Sequence, residues 1–255
     1  MKVPILILSL LLCLLPGVPV HAQNQTGDDS ETPSEWTGTV FQWYGHAFVY
    51  LTSESGIRIA LNPFSTGIFD YTFPNALPAD IVLISCESAD FSGGKELFGL
   101  PQVFRSLAGV GLNNANGLTF RGTRTYRDNE QGRKLGGNTV YSFMLDGVRY
   151  CHLGAIGHTL SFKERQQIGR VDVLFLPIGN PILSELDLWK ITDSLKPKWI
   201  VPVAYKTSKS RDLNFRAFTD LNITDRPYRY VSASEFVFRK NELPTEPTLL
   251  ILESP

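Results

Sequence analysis

The sequence feature that most constrains the fold is an apolar run of strand length, "DIVLIS" (80–85), which leads directly into a polar stretch. A short apolar run bounded by turn residues predicts a strand that is buried in a sheet. The next residues, "CESADFSGG" (86–94), carry a thiol, hydroxyls and a carboxylate before two glycines. The pattern indicates a buried strand that delivers polar side chains into a loop, where a functional site could lie.

The rest of the chain alternates strand-like segments with fewer helix-like ones. Further strands are predicted at 39–45, 47–53, 57–63, 118–122, 138–145, 148–154, 172–179, 198–205 and 248–254. Helices are predicted at 161–169 and 184–195, with weaker candidates at 93–108 and 212–220. Ser161 and Glu164 have the spacing of a capping box, and Ser184 is a candidate cap. Many strands with helices in only some connections predict sheets packed on each other with helices outside, and loops gathered at one edge.

The first 22 residues have the composition of a secretory signal: Lys2, a short apolar run, and Val20-His21-Ala22 before Gln23. We expect cleavage near Ala22 and a periplasmic or extracellular location, although a retained anchor is the alternative. The polar residues 23–35 indicate a disordered leader. Residues 36–255 contain no linker-like stretch, which predicts one domain. The mature chain is expected to have no membrane span.

Charge and cysteine content limit the function classes. Removal of residues 1–22, which hold Lys2 and no acidic residue, leaves 23 basic and 25 acidic residues, a net charge of −2. This balance gives no support for a nucleic-acid surface. Cys86 and Cys151 remain after cleavage. Because Cys151 and His152 are neighbours on a predicted strand, their side chains point to opposite faces, and we expect both thiols to be free.

Five segments in order resemble the metallo-β-lactamase superfamily, and within it a lactonase-like branch of small metal-dependent hydrolases. They are "WYGHAFVYL" with "IRIALNPF", "ADIVLISCESADFSGG", "GRKLGGNTVYSFMLDGVRYCHLGAIGHTLS", "RVDVLFLPIGN" and "PKWIVPVAYKT". Together they span residues 41–207. The resemblance implies an α+β or α/β fold, the four-layer αββα sandwich of that superfamily.

The resemblance also implies a dinuclear metal site that this chain has largely lost. The family loop is His-x-His-x-Asp-His, followed later by a His, a bridging Asp and a last His. The corresponding residues here are Cys86, Ser88, Asp90, Phe91, His152, Ala155 and Ala204, so two of the seven positions keep the family's residue. A zinc site needs roughly three or four protein ligands, and phenyl and methyl groups supply none. No cofactor is therefore expected, or at most one zinc-like divalent ion.

Three residual candidates could in principle hold one metal: Cys86, Asp90 and His152. The interpretation that we favour is a buried thiol, a carboxylate that caps a turn, and a hydrogen-bonded histidine. The same residues with Ser88 also list the parts of a nucleophile–base–orienter set, which leaves metal-free catalysis open. The sequence does not show whether Asp70 or Asp128 replaces a lost ligand.

A second group of residues is expected to line the former cleft: His46, Arg127, His158, Asn180 and Tyr205. Arg127 lies in a loop, where it could attract an anion or simply be a solvated charge. We expect an exported, degenerate member of the superfamily, a pseudoenzyme that binds a small polar or anionic ligand or an envelope protein. The alternative is an atypical hydrolase of a lactone, phosphoester or similar bond, with a one-metal or metal-free site.

Overall fold

The apolar segment after Asp80 forms a short strand in the structure, a computed structural model that describes residues 37–211, 214–223 and 226–255. All four residues of this strand, Ile81–Ile84, are buried. A strand buried on both faces needs a layer of side chains on each side, and the rest of the fold supplies those layers. The predicted signal (1–22) and leader (23–35) lie outside the described residues.

Fourteen strands and two α-helices are formed by the described residues. The strands are β1 Thr39–Gly45, β2 Phe48–Thr52, β3 Arg58–Leu61, β4 Ile81–Ile84, β5 Gln102–Arg105, β6 Gly111–Ala115, β7 Leu118–Tyr126, β8 Gly137–Leu145, β9 Val148–His152, β10 Val173–Pro177, β11 Trp199–Val203, β12 Tyr228–Val231, β13 Glu235–Phe238 and β14 Thr248–Leu252. The helices are α1 Phe162–Ile168 and α2 Glu185–Leu195, and short 3-10 segments lie at Ser106–Gly109, Phe218–Asp220 and Lys240–Glu242.

The strands form two mixed sheets. The first has the order β13-β1-β2-β3-β4-β5, and the second has the order β12-β14-β11-β10-β9-β8-β7-β6. In the second sheet the strands from β12 to β9 pair in parallel, and those from β9 to β6 pair antiparallel. A hairpin turn at Asp146-Gly147 joins β8 to β9, with Leu145 paired to Val148.

The main core lies between the two sheets. Phe41 of the first sheet packs against Phe175 of the second, with ring centroids 5.3 Å apart. Apolar residues of α1 and α2, among them Ile168 and Leu188, belong to the same buried cluster. The outer face of the first sheet is covered instead by the connection between β3 and β4, whose aromatic residues include Phe64. The predicted sandwich of two packed sheets is confirmed.

The two predicted helices are confirmed, including their caps. Ser161 Oγ accepts a hydrogen bond from Glu164 N at 3.3 Å, and Glu164 Oε2 accepts one from Ser161 N at 2.7 Å. Ser184 caps α2 in the same way with Asp187. No helix in the described ranges is long and apolar enough to cross a membrane.

The weaker helix prediction at 93–108 is wrong. That segment contains β5 and a 3-10 turn, since Gly99 and Leu100 adopt positive φ values of 103° and 57° and Pro101 follows them. At 212–220, residues 212–213 lie outside the described residues, and Phe218–Asp220 forms one 3-10 turn. Strand β7 runs to Tyr126, four residues beyond the strand predicted at 118–122.

Candidate functional site

A pocket of about 180 Å³ opens where strands of both sheets end. Its lining residues follow six strands: His46 after β1, Asp90 and Phe91 after β4, Arg127 after β7, Ala155 after β9, Asn180 after β10 and Ala204 after β11. The loop residues Leu135, Ile182 and Phe215 complete the wall. Side chains that are far apart in sequence therefore meet in one cavity, at the edge where the loops gather.

Three residues that line the pocket, Phe91, Ala155 and Ala204, belong to a buried apolar cluster, which we call the pocket floor. It consists of Ala47, Cys86, Phe91, Ala155 and Ala204, none of them more than 7% exposed. Four of these five residues stand where the resemblance places metal ligands. Burial raises the pKa of the Cys86 thiol to about 11, so the sulfur stays protonated at neutral pH. The floor offers no anionic or imidazole donor to a cation.

His152, the one imidazole kept from the ligand pattern, is fully buried beneath this floor. Its Nε2 lies 3.0 Å from the carbonyl oxygen of Ala47 and donates to it. Its Nδ1 accepts from Gly154 N at 2.9 Å and faces the Asn62 amide at 3.1 Å. Burial lowers the pKa of His152 to about 4, and the ring is neutral at pH 7. Both nitrogens are used inside the protein.

Asp90, the one carboxylate kept from the pattern, lies at the side of the pocket. Ser88 Oγ donates to its Oδ1, and His46 Nε2 lies 3.5 Å from its Oδ2. Burial alone raises the pKa of a carboxyl group, but the contacts with His46 and Ser88 outweigh it and the pKa of Asp90 is lowered. Asp90 is therefore an anion at neutral pH.

Neither a dinuclear centre nor a single-metal site fits these residues. Across the part of the chain that the structure describes, no three His, Cys, Asp or Glu side chains are grouped so that they could hold a metal ion. The three residual candidate ligands do not form a metal site. Cys86 is a protonated thiol, Asp90 faces an imidazole, and both nitrogens of His152 are hydrogen-bonded to the backbone. Asp70, considered as a replacement ligand, pairs on the surface with Arg211 at 2.8 Å.

The nucleophile–base–orienter set is not assembled either. A histidine base needs a free ring nitrogen beside the nucleophile. The two nitrogens of His152 face Ala47, Gly154 and Asn62, and the Ser88 hydroxyl donates to Asp90 rather than to an imidazole. The parts predicted from composition are present without the required contacts.

His46 lies above the pocket floor and is completely buried. Its ring is surrounded by three phenyl rings, Phe69, Phe91 and Phe215, at centroid distances of 4.6, 5.1 and 4.9 Å. Its backbone is held with φ at 47°, and its carbonyl oxygen accepts from Ala204 N at 2.9 Å. Neither ring nitrogen has a hydrogen-bond partner among the described residues. Nε2 still faces Asp90 Oδ2 at 3.5 Å, whereas Nδ1 has no such contact among the described residues. A buried nitrogen without a partner is costly, and its position on a pocket wall points to a ligand.

Arg127 is held over the pocket by the loop that follows it. Asp128 accepts four backbone hydrogen bonds from this loop, two of them from Lys134 N at 3.0 Å and Leu135 N at 2.7 Å. The hydrogen bond from Leu135 N is the largest of the contacts that lower the pKa of Asp128 to about 2. The Leu135 carbonyl in turn accepts from Arg127 Nη1 at 3.3 Å. Asp128 therefore positions Arg127 and does not replace a metal ligand.

The Arg127 side chain keeps free donors. Its Nε is buried without a hydrogen-bond partner among the described residues, and none of the ion pairs that those residues form includes Arg127. We call His46, Asp90 and Arg127 the polar wall of the pocket. It combines one guanidinium without an ion pair among the described residues, one carboxylate, and one imidazole whose Nε2 faces that carboxylate.

Asn180 lines the pocket, but both polar atoms of its amide are hydrogen-bonded to the backbone. Its Nδ2 donates to Ile156 O at 2.7 Å, and its Oδ1 accepts from Ile182 N at 2.9 Å. Arg216 fixes the same loop by donating to the carbonyls of Ile178 and Leu183. Asn180 is therefore a positioning residue. Arg216 and Phe215 were not predicted from the sequence, where nothing but the charge of Arg216 marks them.

Two residues predicted to line the cleft lie outside the pocket. Tyr205 is buried against Trp43, with ring centroids 5.3 Å apart, because it points back toward the core at the end of β11. His158 lies in a separate groove, where its Nε2 accepts from Tyr126 N at 3.1 Å and its Nδ1 donates to Thr159 O. Neither Tyr205 nor His158 lines the pocket, contrary to the prediction.

Known proteins share this fold and part of this sequence. The family model described as the beta-lactamase superfamily domain matches residues 40–204. A metal-dependent hydrolase of Carboxydothermus hydrogenoformans is 26% identical over 188 residues, which cover 64% of this chain and 83% of that protein.

Two crystal structures agree with the architecture. A Zn-dependent hydrolase of the metallo-β-lactamase superfamily from Thermotoga maritima aligns with a TM-score of 0.69 at 27% identity, over 85% of this chain and 100% of that one. A metal-dependent hydrolase from Parabacteroides distasonis aligns with a TM-score of 0.52 at 19% identity, over 70% and 91% of the two chains, and shows the fold alone. The predicted resemblance to this superfamily is confirmed.

Proposed function

Because this chain belongs to the beta-lactamase superfamily, whose domain model it matches over residues 40–204, we propose that it is a non-catalytic member. In this proposal the protein is exported and uses the former active-site pocket to bind a small polar or anionic ligand. The family supplies the scaffold, while the activity depends on the residues placed at the site.

The observation that carries the proposal is the pocket floor. Cys86, Phe91, Ala155 and Ala204 pack into one buried cluster at four positions where the family holds metal ions. Methyl and phenyl groups in these places remove ligands and also fill space that an ion and its water would need. Without a bound metal ion, such a site cannot generate the metal-activated hydroxide of the family's reaction.

The polar wall supports binding rather than inert retention of the fold. Among the residues that the structure describes, His46 Nδ1 and Arg127 Nε are buried without a hydrogen-bond partner, beside a cavity of about 180 Å³. Buried polar groups normally have hydrogen-bond partners, and a buried polar group without a partner destabilises the folded state. A ligand that completes these hydrogen bonds would stabilise the folded chain.

One pair of measurements on the mature protein tests the proposal. Thermal unfolding is followed with a panel of small polar and anionic molecules in the presence of a chelator, and hydrolysis of lactones and phosphoesters is followed with and without zinc or manganese. We expect ligand-dependent stabilisation and no turnover above that of the buffer. Metal-dependent turnover that disappears in a His152→Ala variant would instead support a one-metal hydrolase. Turnover in the absence of metal would support a hydrolase with a metal-free site.

A further inference from the structure

We propose that the ligand of this pocket is a small monocarboxylate with an apolar body, bound through its carboxylate to Arg127. The inference rests on the proposed function and narrows it to one chemical class. It depends on three features: the size of the cavity, the apolar character of most of its wall, and the free donors of Arg127.

The cavity limits the ligand to a small molecule. Its volume of about 180 Å³ lies below the roughly 300–1,000 Å³ of pockets that take drug-sized ligands. One aromatic ring or one branched aliphatic chain is the size that such a space accepts. A nucleotide or an oligosaccharide does not fit.

Most of the wall is apolar and suits a hydrocarbon body. Phe91 and Phe215 present rings, and Leu135, Pro177 and Ile182 present aliphatic surface. Burial of apolar ligand surface against such groups contributes most of the binding free energy in small pockets. A free sugar or a polyol would leave its hydroxyl groups unpaired against these side chains.

The head group follows from Arg127. Within the described ranges, its buried Nε has no hydrogen-bond partner and its guanidinium has no acidic partner, while Asp128 beside it is fully occupied by backbone amides. A planar guanidinium binds a carboxylate through two parallel, charge-assisted hydrogen bonds. Of the three polar-wall residues, Arg127 has both a free hydrogen-bond donor and a positive charge that is not paired within the described residues, and an anion would satisfy both.

Asp90 excludes the other ionic classes. Its charge is engaged by Ser88 and faces His46, so an organic cation would have to displace those contacts and also approach Arg127. A phosphate or sulfate dianion would bring a second negative charge next to Asp90 with one guanidinium to balance it. A single carboxylate on the Arg127 side avoids both penalties.

Matched ligand pairs test the inference in the full mature chain with chelator present. Calorimetry compares benzoate with benzamide and 4-methylpentanoate with 4-methylpentanamide, and inorganic phosphate serves as a further probe. We expect each carboxylate to bind about tenfold or more tightly than its amide, since a charge-assisted bond is worth more than a neutral one. Phosphate is expected not to bind.

Variants identify the residue responsible. Arg127→Gln is expected to remove the preference for the carboxylate, whereas Lys134→Gln removes an exposed positive charge from the same loop and is expected to keep it. Should Arg127→Gln fail to fold, the ¹⁵N–¹H signal of Arg127 Nε in the unaltered protein gives the same information, because a bound carboxylate shifts it downfield and an amide does so less.

The two proposals fail in different ways. Equal affinity for acids and amides, or an unmoved Arg127 Nε signal on acid binding, overturns the monocarboxylate and leaves a binding protein in place. Absence of binding by all four compounds also overturns the monocarboxylate. The proposed function itself is contradicted by metal-dependent turnover of a lactone or phosphoester.

Discussion

The floor and the polar wall of one pocket differ in how their polar groups are paired. At the floor, ligand positions hold carbon or a protonated thiol, and His152 beneath them has both nitrogens hydrogen-bonded inside the protein. On the polar wall, buried nitrogens of His46 and Arg127 have no partner within the described residues. Under the proposed function, this difference corresponds to a lost metal site and a retained binding surface.

The loops that form the pocket wall are held by further hydrogen bonds. Asp128 organises the loop that carries Leu135, and the Leu135 carbonyl holds the Arg127 guanidinium. The Asn180 amide and the Arg216 guanidinium fix the opposite loop. Polar groups that must be held within a fraction of an ångström are usually supported in this way by a second layer of contacts.

The largest expected effect comes from rebuilding the floor. A variant with Cys86→His, Ser88→His, Phe91→His, Ala155→Asp and Ala204→His restores the family's ligand set. We expect two zinc ions per chain with tight binding, because sites with three or four protein ligands bind zinc with an apparent free energy on the order of 10 kcal/mol. Metal content after dialysis, measured by mass spectrometry, checks this. The same variant with Ala155 retained is the control, expected to bind less because it lacks the bridging carboxylate. No gain of metal would show that the floor is not the old site.

The next effect is a pH dependence of stability that belongs to His152. Its folded pKa of about 4 lies below the unfolded value of about 6.5, so the unfolded state binds the extra proton between these pH values. The contribution is present above pH 6.5 and is lost as pH falls through 4, on the order of 3 kcal/mol at about 1.4 kcal/mol per pKa unit. Urea unfolding at pH 7 and pH 4.5 measures it.

A His152→Gln variant is expected to lose most of this pH slope, whatever its absolute stability. His158→Gln is the matched control, since that ring lies in a separate groove, and its slope should follow that of the unaltered protein. An unchanged slope in His152→Gln would mean that this histidine is not the buried neutral ring described above.

A smaller effect on stability is expected at Gly157, which packs against the backbone of Arg127. A Cβ placed on Gly157 would lie 2.0 Å from the Arg127 carbonyl oxygen, so Gly157→Ala must displace the loop that holds Arg127. Overpacking of this kind costs about 1–3 kcal/mol in unfolding free energy. Gly137→Ala is the control, because its Cβ would meet Leu107 at an ordinary 3.5 Å. Equal stability of the two variants in denaturant titrations would argue against the close approach.

The smallest effect concerns Asp128. Its folded pKa of about 2 lies below the usual value of about 3.9, so its stabilisation of the loop is present above pH 4 and is lost as pH falls toward 2. Asp128→Asn should therefore expose the amides of Lys134 and Leu135 to faster hydrogen exchange at neutral pH. Exchange at Glu164 N, in the capping box of α1, serves as the internal reference and should not change.

Local signals in the sequence predicted much of the fold. The apolar runs at β4, β10 and β11 and the capping box at Ser161 depend on neighbours in the chain, and the structure has them where the patterns place them. Strands β5, β6, β12 and β13 were missed; they are the edge strands of the two sheets, and most of their residues are exposed or half-buried. Tertiary context, which local patterns do not contain, decided these cases.

The candidate site was less predictable. The resemblance indicated which residues stand at the family's ligand positions, and His46, Asp90 and Arg127 line one pocket. Phe215 enters from a distant loop that no local pattern connects to the site. Tyr205 sits at the predicted strand end, yet its side chain turns into the core. The direction of a side chain after a strand ends depends on packing that spacing alone does not fix.

The most direct measurement is the metal content of the unaltered protein after incubation with excess zinc and exhaustive dialysis. We expect far less than one zinc per chain, because the pocket floor has carbon or a protonated thiol where ligands would have to be. Two zinc ions per chain that survive dialysis would contradict this expectation.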